Sequence, residues 1–205
     1  MNDQGVSQIV YSKNVVEFVT VASEYCATIE NAGHHTPKEN LDKLQKILPL
    51  LYLKAALLPK VESVMEEELE KFVSELDYNT VHQKWLQLLG EHDSFYEVFD
   101  PSIQFGDETV TASISENLVD IYQDLKDFIT SYSIGNEEVM NDSLAECVFH
   151  FSEFWGQQLV NVLRAVHMLV VGDVDFMEDT SDEAAPGKGN PKWLDNFWGT
   201  NEEED

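Results

Sequence analysis

"SISENLVDIYQDLKDFITSYSIGNEEVMNDSLAECVFHFSEFWGQQLVNVLRAVHMLVV", residues 113–171, carries the pattern that decides the fold. Ser113 followed by Glu116 has the spacing of a capping box, in which each side chain satisfies an otherwise orphaned amide of the first turn. Leu118, Ile121, Tyr122, Leu125, Phe128, Ile129 and Tyr132 then recur at three and four residues, the period of one helical face. Gly135 and Asn136 interrupt the pattern for too short a stretch to allow anything but a reversal. The rest reads as one very long helix or two collinear ones, since an unbroken helix would run about 50 Å at 1.5 Å per residue. A kink between Ser152 and Gly156 is expected. Two long helices joined by so short a connection form an antiparallel hairpin.

Upstream, the same period appears twice more. Val15, Phe18, Val19, Ala22, Tyr25, Cys26 and Ile29 make one apolar stripe, ended by Asn31 to Gly33. "TPKE" then supplies Thr36 as a cap, Pro37 at the first helical position and Glu39 to reach back. Leu41, Leu44, Leu48, Leu51, Ala55 and Leu58 form the next core face, with Pro49 expected to bend it. The acidic run 59–77 could be helical or loose, and a shorter helix is expected from Thr80 to Leu89 with Asn79 as its cap. "EHDSFYEVFDPSIQFGDETVTA" is too irregular for a helix and reads as a loop anchored by Phe95, Tyr96, Phe99 and Phe105.

The expected architecture is therefore an all-α bundle of about five main helices over residues 1–172, ending in the antiparallel hairpin and followed by an acidic tail over 173–205. The tail carries eleven acids against two lysines, a formal charge of −9, around a Pro/Gly-rich middle. Its one apolar cluster, Trp193, Leu194, Phe197 and Trp198, is spaced like a helical turn flanked by acids, a candidate partner contact. The same cluster could equally fold back onto its own domain.

With 205 residues, 43% of them hydrophobic, the chain can fill a real core. A formal charge of −27 with only twelve Lys and Arg argues against nucleic acid and against anionic membrane surfaces, both of which require clustered cations. A basic partner protein or a multivalent cation suits that charge. The N-terminal stretch lacks the basic and apolar regions of a signal peptide, and no apolar run reaches the length of a membrane span, so a cytoplasmic protein is expected. Cys26 and Cys147 lack metal or redox spacing and read as buried thiols.

Arg164 is the only arginine. It lies in the apolar run 159–171, yet Glu146, His150, Glu153, Gln157, Asn161 and Arg164 follow one another at three or four residues and form a polar stripe. An ion pair from Arg164 to Asp124, or to Asp120 one turn earlier, is the expected role of the arginine. The competing chemical reading is a metal site, because carboxylates and histidines on facing helices hold metals in bundles, with Glu146, His150 and Glu153 as the ligand candidates. Its spacing is unlike the paired Glu-x-x-His of di-iron bundles, and no cofactor is expected. No catalytic motif for a nucleophile or a phosphate loop is present, which gives no basis for naming a reaction.

Residues 95–136 and "FHFSEFWGQQLVNVLRAVHMLV" (149–170) resemble a bacterial family, domain of unknown function 5063. "LPLLYLKAALLP" is similar to its leucine-rich second helix, and the resemblance covers most of residues 15 to 170. It implies an intracellular helical domain and brings no known activity, substrate or cofactor. Where the family pattern often has histidines flanking the Trp-Gly pair, this chain has Phe154 and Gln158, which weakens a metal reading. Asp120, Tyr122 and Asp124 on one helix match, as do Trp155, Gly156, Arg164 and His167 on the other. The resemblance thus points to the same helix pair, as a polar latch or a ligand cluster. The function expected from all of this is a non-enzymatic protein-binding or adaptor domain, with a metal-dependent protein or an acidic mimic of nucleic acid as alternatives.

Overall fold

The computed structural model describes residues 3–97, 110–172, 174 and 176. They form an all-α bundle. Helix α1 spans Asp3–Val10, α2 Lys13–Glu30, α3 Pro37–Ala56, α4 Glu75–Leu89, α5 Ile114–Ser133, α6 Glu137–His150 and α7 Gly156–Val171. Two three-residue strands, β1 (Ser94–Tyr96) and β2 (Thr111–Ser113), pair antiparallel with Phe95 opposite Ala112, a local pairing inside the segment expected to be a loop. The expected anchors Phe99 and Phe105 lie outside the described residues.

Four helices close a ring, α2 against α3, α3 against α7, α7 against α5 and α5 back against α2, with α4 and α6 packed on α5 and α1 on α6. Cross-contacts fix the directions. Lys54 meets Glu17 and Lys43 meets Glu24, so α3 runs back along α2. Tyr52 meets Phe151 and Gln45 meets His167, so α7 runs back along α3. The apolar stripes point inward as their period requires: Val15, Phe18, Ala22, Tyr25, Cys26 and Ile29 from α2, and Leu41, Leu44, Leu48, Leu51 and Ala55 from α3, are all buried. Phe18 sits at the centre, its ring 5.4 Å from Phe128 and 6.5 Å from Trp155. Both cysteines are free and buried, and burial pushes each thiol up, away from the reactive thiolate. Among the described residues no helix is long and apolar enough to cross a membrane.

Caps set the helix starts where the sequence supplies them. Thr36 and Glu39 form the reciprocal capping box at α3. Pro49 lies within α3, which remains helical to Ala56 and so leaves Leu58 beyond its end. The start of α4 differs from expectation: Ser74 caps it and Asp77 reaches back, five residues ahead of Asn79, so the helix begins at Glu75 rather than Thr80. An Asp in place of the usual Glu at the third position gives the same exchange of bonds.

Residues 57–74 contain no regular element. Two buried carboxylates hold this segment instead. Asp142 of α6 accepts from the Val64 and Met65 amides, each at 2.8 Å, and from the Ser63 hydroxyl at 2.5 Å. Asp127 of α5 accepts from the Phe72 and Val73 amides at 2.7 and 3.0 Å. Backbone amides without a helix or strand must find acceptors when buried, and these two side chains provide them at either end of the connector.

Between α6 and α7 the chain does not simply bend. Phe151–Trp155 forms a π turn, and the Gly156 amide donates to the Phe151 carbonyl five residues back rather than four. One extra residue is therefore inserted into the turn, and everything beyond it is rotated by about 100° relative to a continuous helix.

Candidate functional site

The π turn rearranges the polar stripe. His150 lies before it, with Nδ1 2.7 Å from Asp124 Oδ1. Beyond it, a regular helix would bring Gln157 back over His150 after two turns. The inserted residue brings Gln158 there instead, and its Nε2 donates to Asp120 Oδ2 at 2.9 Å. Arg164 is carried off the α5 side into solvent, where it makes no ion pair among the described residues. The expected Arg164 pair with Asp124 or Asp120 is thus not formed, and Asp124 bonds to His150 instead.

The remaining candidates go to different neighbours. Asp120 also accepts from the Tyr78 hydroxyl of α4 at 2.6 Å, joining α4, α5 and α7 through one carboxylate. Tyr122 donates to Glu30 at 3.0 Å, and Glu146 pairs with Lys71 of the connector at 2.8 Å. Asn161 donates to Glu97, Gln45 and His167 meet at 3.0 Å, and Glu153 is exposed. Each pair ties α5, α6 or α7 to a separate element. Tyr78→Phe should therefore lower stability by about 1.5 kcal/mol, the range of a bond to a charged acceptor. Urea denaturation checks this, and an unchanged midpoint would show that Asp120 does not hold α4.

Burial pushes the Asp124 carboxyl above its ordinary value, although the His150 hydrogen bond and charge pull the other way. The Tyr122 hydroxyl is also pushed up, first by burial and then by its bond to Glu30. For Asp124 the sign is unusual for a paired carboxylate. The folded state holds this proton more tightly than the unfolded chain, so its contribution to stability falls as pH rises through the interval between the ordinary and the raised value.

Asp124, Glu146 and His150 do share one crevice with Lys71, Asp127 and Cys147, but its volume is only about 10 Å³. That space is at the lower limit for a single water. Among the described residues no group of three or more His, Cys, Asp or Glu side chains is arranged to hold a metal ion. Glu146, His150 and Glu153 therefore do not converge as a ligand set.

The π turn has a second consequence, on the outside. Phe149 is 58% exposed and Phe154 57%, and their rings flank His150 at 5.9 and 5.7 Å. On the α3 side Tyr52, itself 41% exposed, meets the Phe151 ring edge-on at 5.3 Å. Phe151 in turn packs on the fully buried Trp155 at 4.6 Å. Two exposed phenylalanine rings thus flank one histidine at the junction of α6 and the π turn, a feature that helical periodicity alone does not reveal. The tail candidates Trp193, Leu194, Phe197 and Trp198 lie outside the described residues.

The turn, the paired helices around it and the ring of α2, α3, α5 and α7 lie within residues 9–172, which match the model of the domain of unknown function DUF5063. The chain belongs to the DUF5063 family. A solved relative shares the fold: the crystal structure of protein BF1032 from Bacteroides fragilis, a structural genomics target, is 42% identical with a TM-score of 0.70, covering 85% of this chain and 99% of that one. No curated protein matches the chain. In this DUF5063 member the distinctive Phe-Trp-Gly run has a structural explanation. Phe154 faces solvent, Trp155 fills the core and Gly156 closes the π turn.

Proposed function

We propose that this protein is a non-enzymatic protein-binding domain whose contact surface centres on Phe149, His150 and Phe154. The observation that carries the reading is the exposure of two phenylalanines that both flank His150, one at the end of α6 and one in the π turn. Large aromatic side chains left in solvent have a cost that a soluble monomer avoids, and aromatic anchors surrounded by polar groups are the usual centre of an interface. Glu153 lies in the same turn, and the chain as a whole carries −27, so the partner that fits combines an apolar ridge with basic residues. The aromatic cluster of the acidic tail is a second contact in the same reading.

The test is affinity capture from native lysate with three baits: the full chain, the full chain with Phe149→Ser and Phe154→Ser, and the chain truncated after Gly172. The double variant removes exposed rings only and should retain its helical signal and cooperative unfolding. A basic protein held by the full chain, released by moderate salt and lost from the double variant is expected. A partner lost only on truncation would place the contact on the tail. Equal capture by all three, or a turnover that survives the double substitution, would overturn the reading.

A further inference from the structure

On another side of the bundle, sharing no residue with the aromatic face, a cleft of about 420 Å³ opens where α2, α4, α5 and the end of the connector meet. That volume falls in the range of small-molecule sites. Its apolar lining comes from Phe72, Val73, Val81 and the ring of Tyr122, of which all but Phe72 are buried. Its charged lining consists of Glu30, Asp77, Lys84 and Lys126.

These four charges sum to zero in a chain whose net charge is −27, so the cleft does not repel an anion as the rest of the surface does. They are unequally occupied. Asp77 is engaged in capping α4 through Ser74. Lys126 is engaged by Glu30 at 2.6 Å. Lys84, by contrast, makes no ion pair among the described residues. Glu30 uses one oxygen, Oε1, for both Lys126 and the Tyr122 hydroxyl. Its other oxygen accepts nothing from the described residues. The site thus offers one available ammonium, one available carboxylate oxygen and an apolar wall.

We propose that this cleft binds a free α-amino acid with an apolar side chain. The ligand carboxylate pairs with Lys84, its ammonium with Glu30, and its side chain lies on Phe72, Val73 and Val81. A zwitterion matches a neutral lining of both signs, where a simple anion would leave the second Glu30 oxygen unused and a simple cation would leave Lys84 unanswered. Tyr122 and Lys126 hold the Glu30 carboxylate in place and act as positioning residues.

The experiment is a titration of the full chain with L-leucine and L-phenylalanine, followed by the backbone amide resonances of residues 72–84 and 122. Saturable shifts confined to these positions are expected. N-acetyl-leucine, which lacks the ammonium, leucine amide, which lacks the carboxylate, and glycine, which lacks the apolar group, should each bind at least about tenfold more weakly, since each loses one interaction. Lys84→Met, an exposed change on a helix surface, should weaken leucine by a similar factor while leaving the unfolding midpoint unchanged. Glu30→Gln provides an independent check on the ammonium. Absence of saturable shifts, equal binding of N-acetyl-leucine, or unchanged affinity in Lys84→Met would each overturn the assignment. None of these outcomes depends on the aromatic face or its partner.

Discussion

Gly156→Ala is expected to lower stability by about 3 kcal/mol, the upper end of what an added methyl group costs in a closed site. The direction is diagnostic, because in a regular helix the same substitution gains about 1 kcal/mol from the better propensity of alanine. Here the π turn brings the Phe151 carbonyl oxygen against the Gly156 α-carbon. A Cβ at that position would lie well inside contact distance of the oxygen and 3.0 Å from two carbons of the Phe151 ring. Neither can retreat easily. The oxygen is the acceptor of the turn's own hydrogen bond, and the ring is pinned between Tyr52 and Trp155. If the variant relieves the clash by rewinding the turn into ordinary α-helix, it rotates Gln158 away from Asp120 and carries Leu159, Val162, Val166 and Leu169 out of their core positions. Urea denaturation measures the loss, and a midpoint equal to or above that of the parent chain would show that the turn does not require glycine.

The same turn marks the boundary of what can be read from the residues. Apolar period alone identifies α2, α3 and α5, because their stripes are continuous and each starts or ends at a recognisable signal such as Thr36 with Glu39 or Gly135 with Asn136. It also puts His150 in the polar stripe of α6, although the partner expected for Asp124 is Arg164 and the structure pairs Asp124 with His150. It fails for Arg164 because a helical wheel assumes 3.6 residues per turn throughout, and one inserted residue displaces every later position. The expectation of a kink at 152–156 rests only on the length an unbroken helix would have. What the residues do not state is that the departure is a π turn, whose one inserted residue rotates everything beyond it.

The polar candidates fail as a single latch for a related reason. Asp120 and Asp124 lie one turn apart on one face of α5, whereas Tyr122, two residues from each, points about 200° away. Asp120 meets Tyr78 and Gln158, Asp124 meets His150 a turn further on, and Tyr122 meets Glu30. Which neighbour each one meets depends on the packing of α2 and α4, elements distant in sequence. The two carboxylates that matter most for the connector, Asp127 and Asp142, have no local signature at all. On a wheel each is one more acid of a strongly acidic chain, and its role emerges only when backbone amides from 54 to 78 residues away arrive beside it.

Asp142→Ala is accordingly expected to cost about 3 kcal/mol at neutral pH, the level of losing several hydrogen bonds to one charged acceptor. The side chain satisfies two amides, a hydroxyl and the Asn141 amide group at once, and the connector has no helix or strand of its own to replace them. Burial alone would push this carboxyl up. The bonds from Ser63, Val64, Asn141 and Met65 more than reverse that and hold it below its ordinary value. The unfolded chain then binds the proton more tightly than the folded one, so the stabilisation is fully present above the ordinary carboxylate value of about 3.9 and disappears as pH falls through the lower folded value. The difference between parent and variant should therefore be constant near neutrality and shrink in acid, while the amides of Val64 and Met65 exchange faster in the variant at neutral pH. Comparing the two proteins at each pH cancels the general acid destabilisation common to both. A difference that stays constant into acid would mean that the lost interaction is not the ionised carboxylate. Protected Val64 and Met65 amides in the variant would mean that the connector is held by something else, and Lys71 with Glu146 would be the next pair to remove.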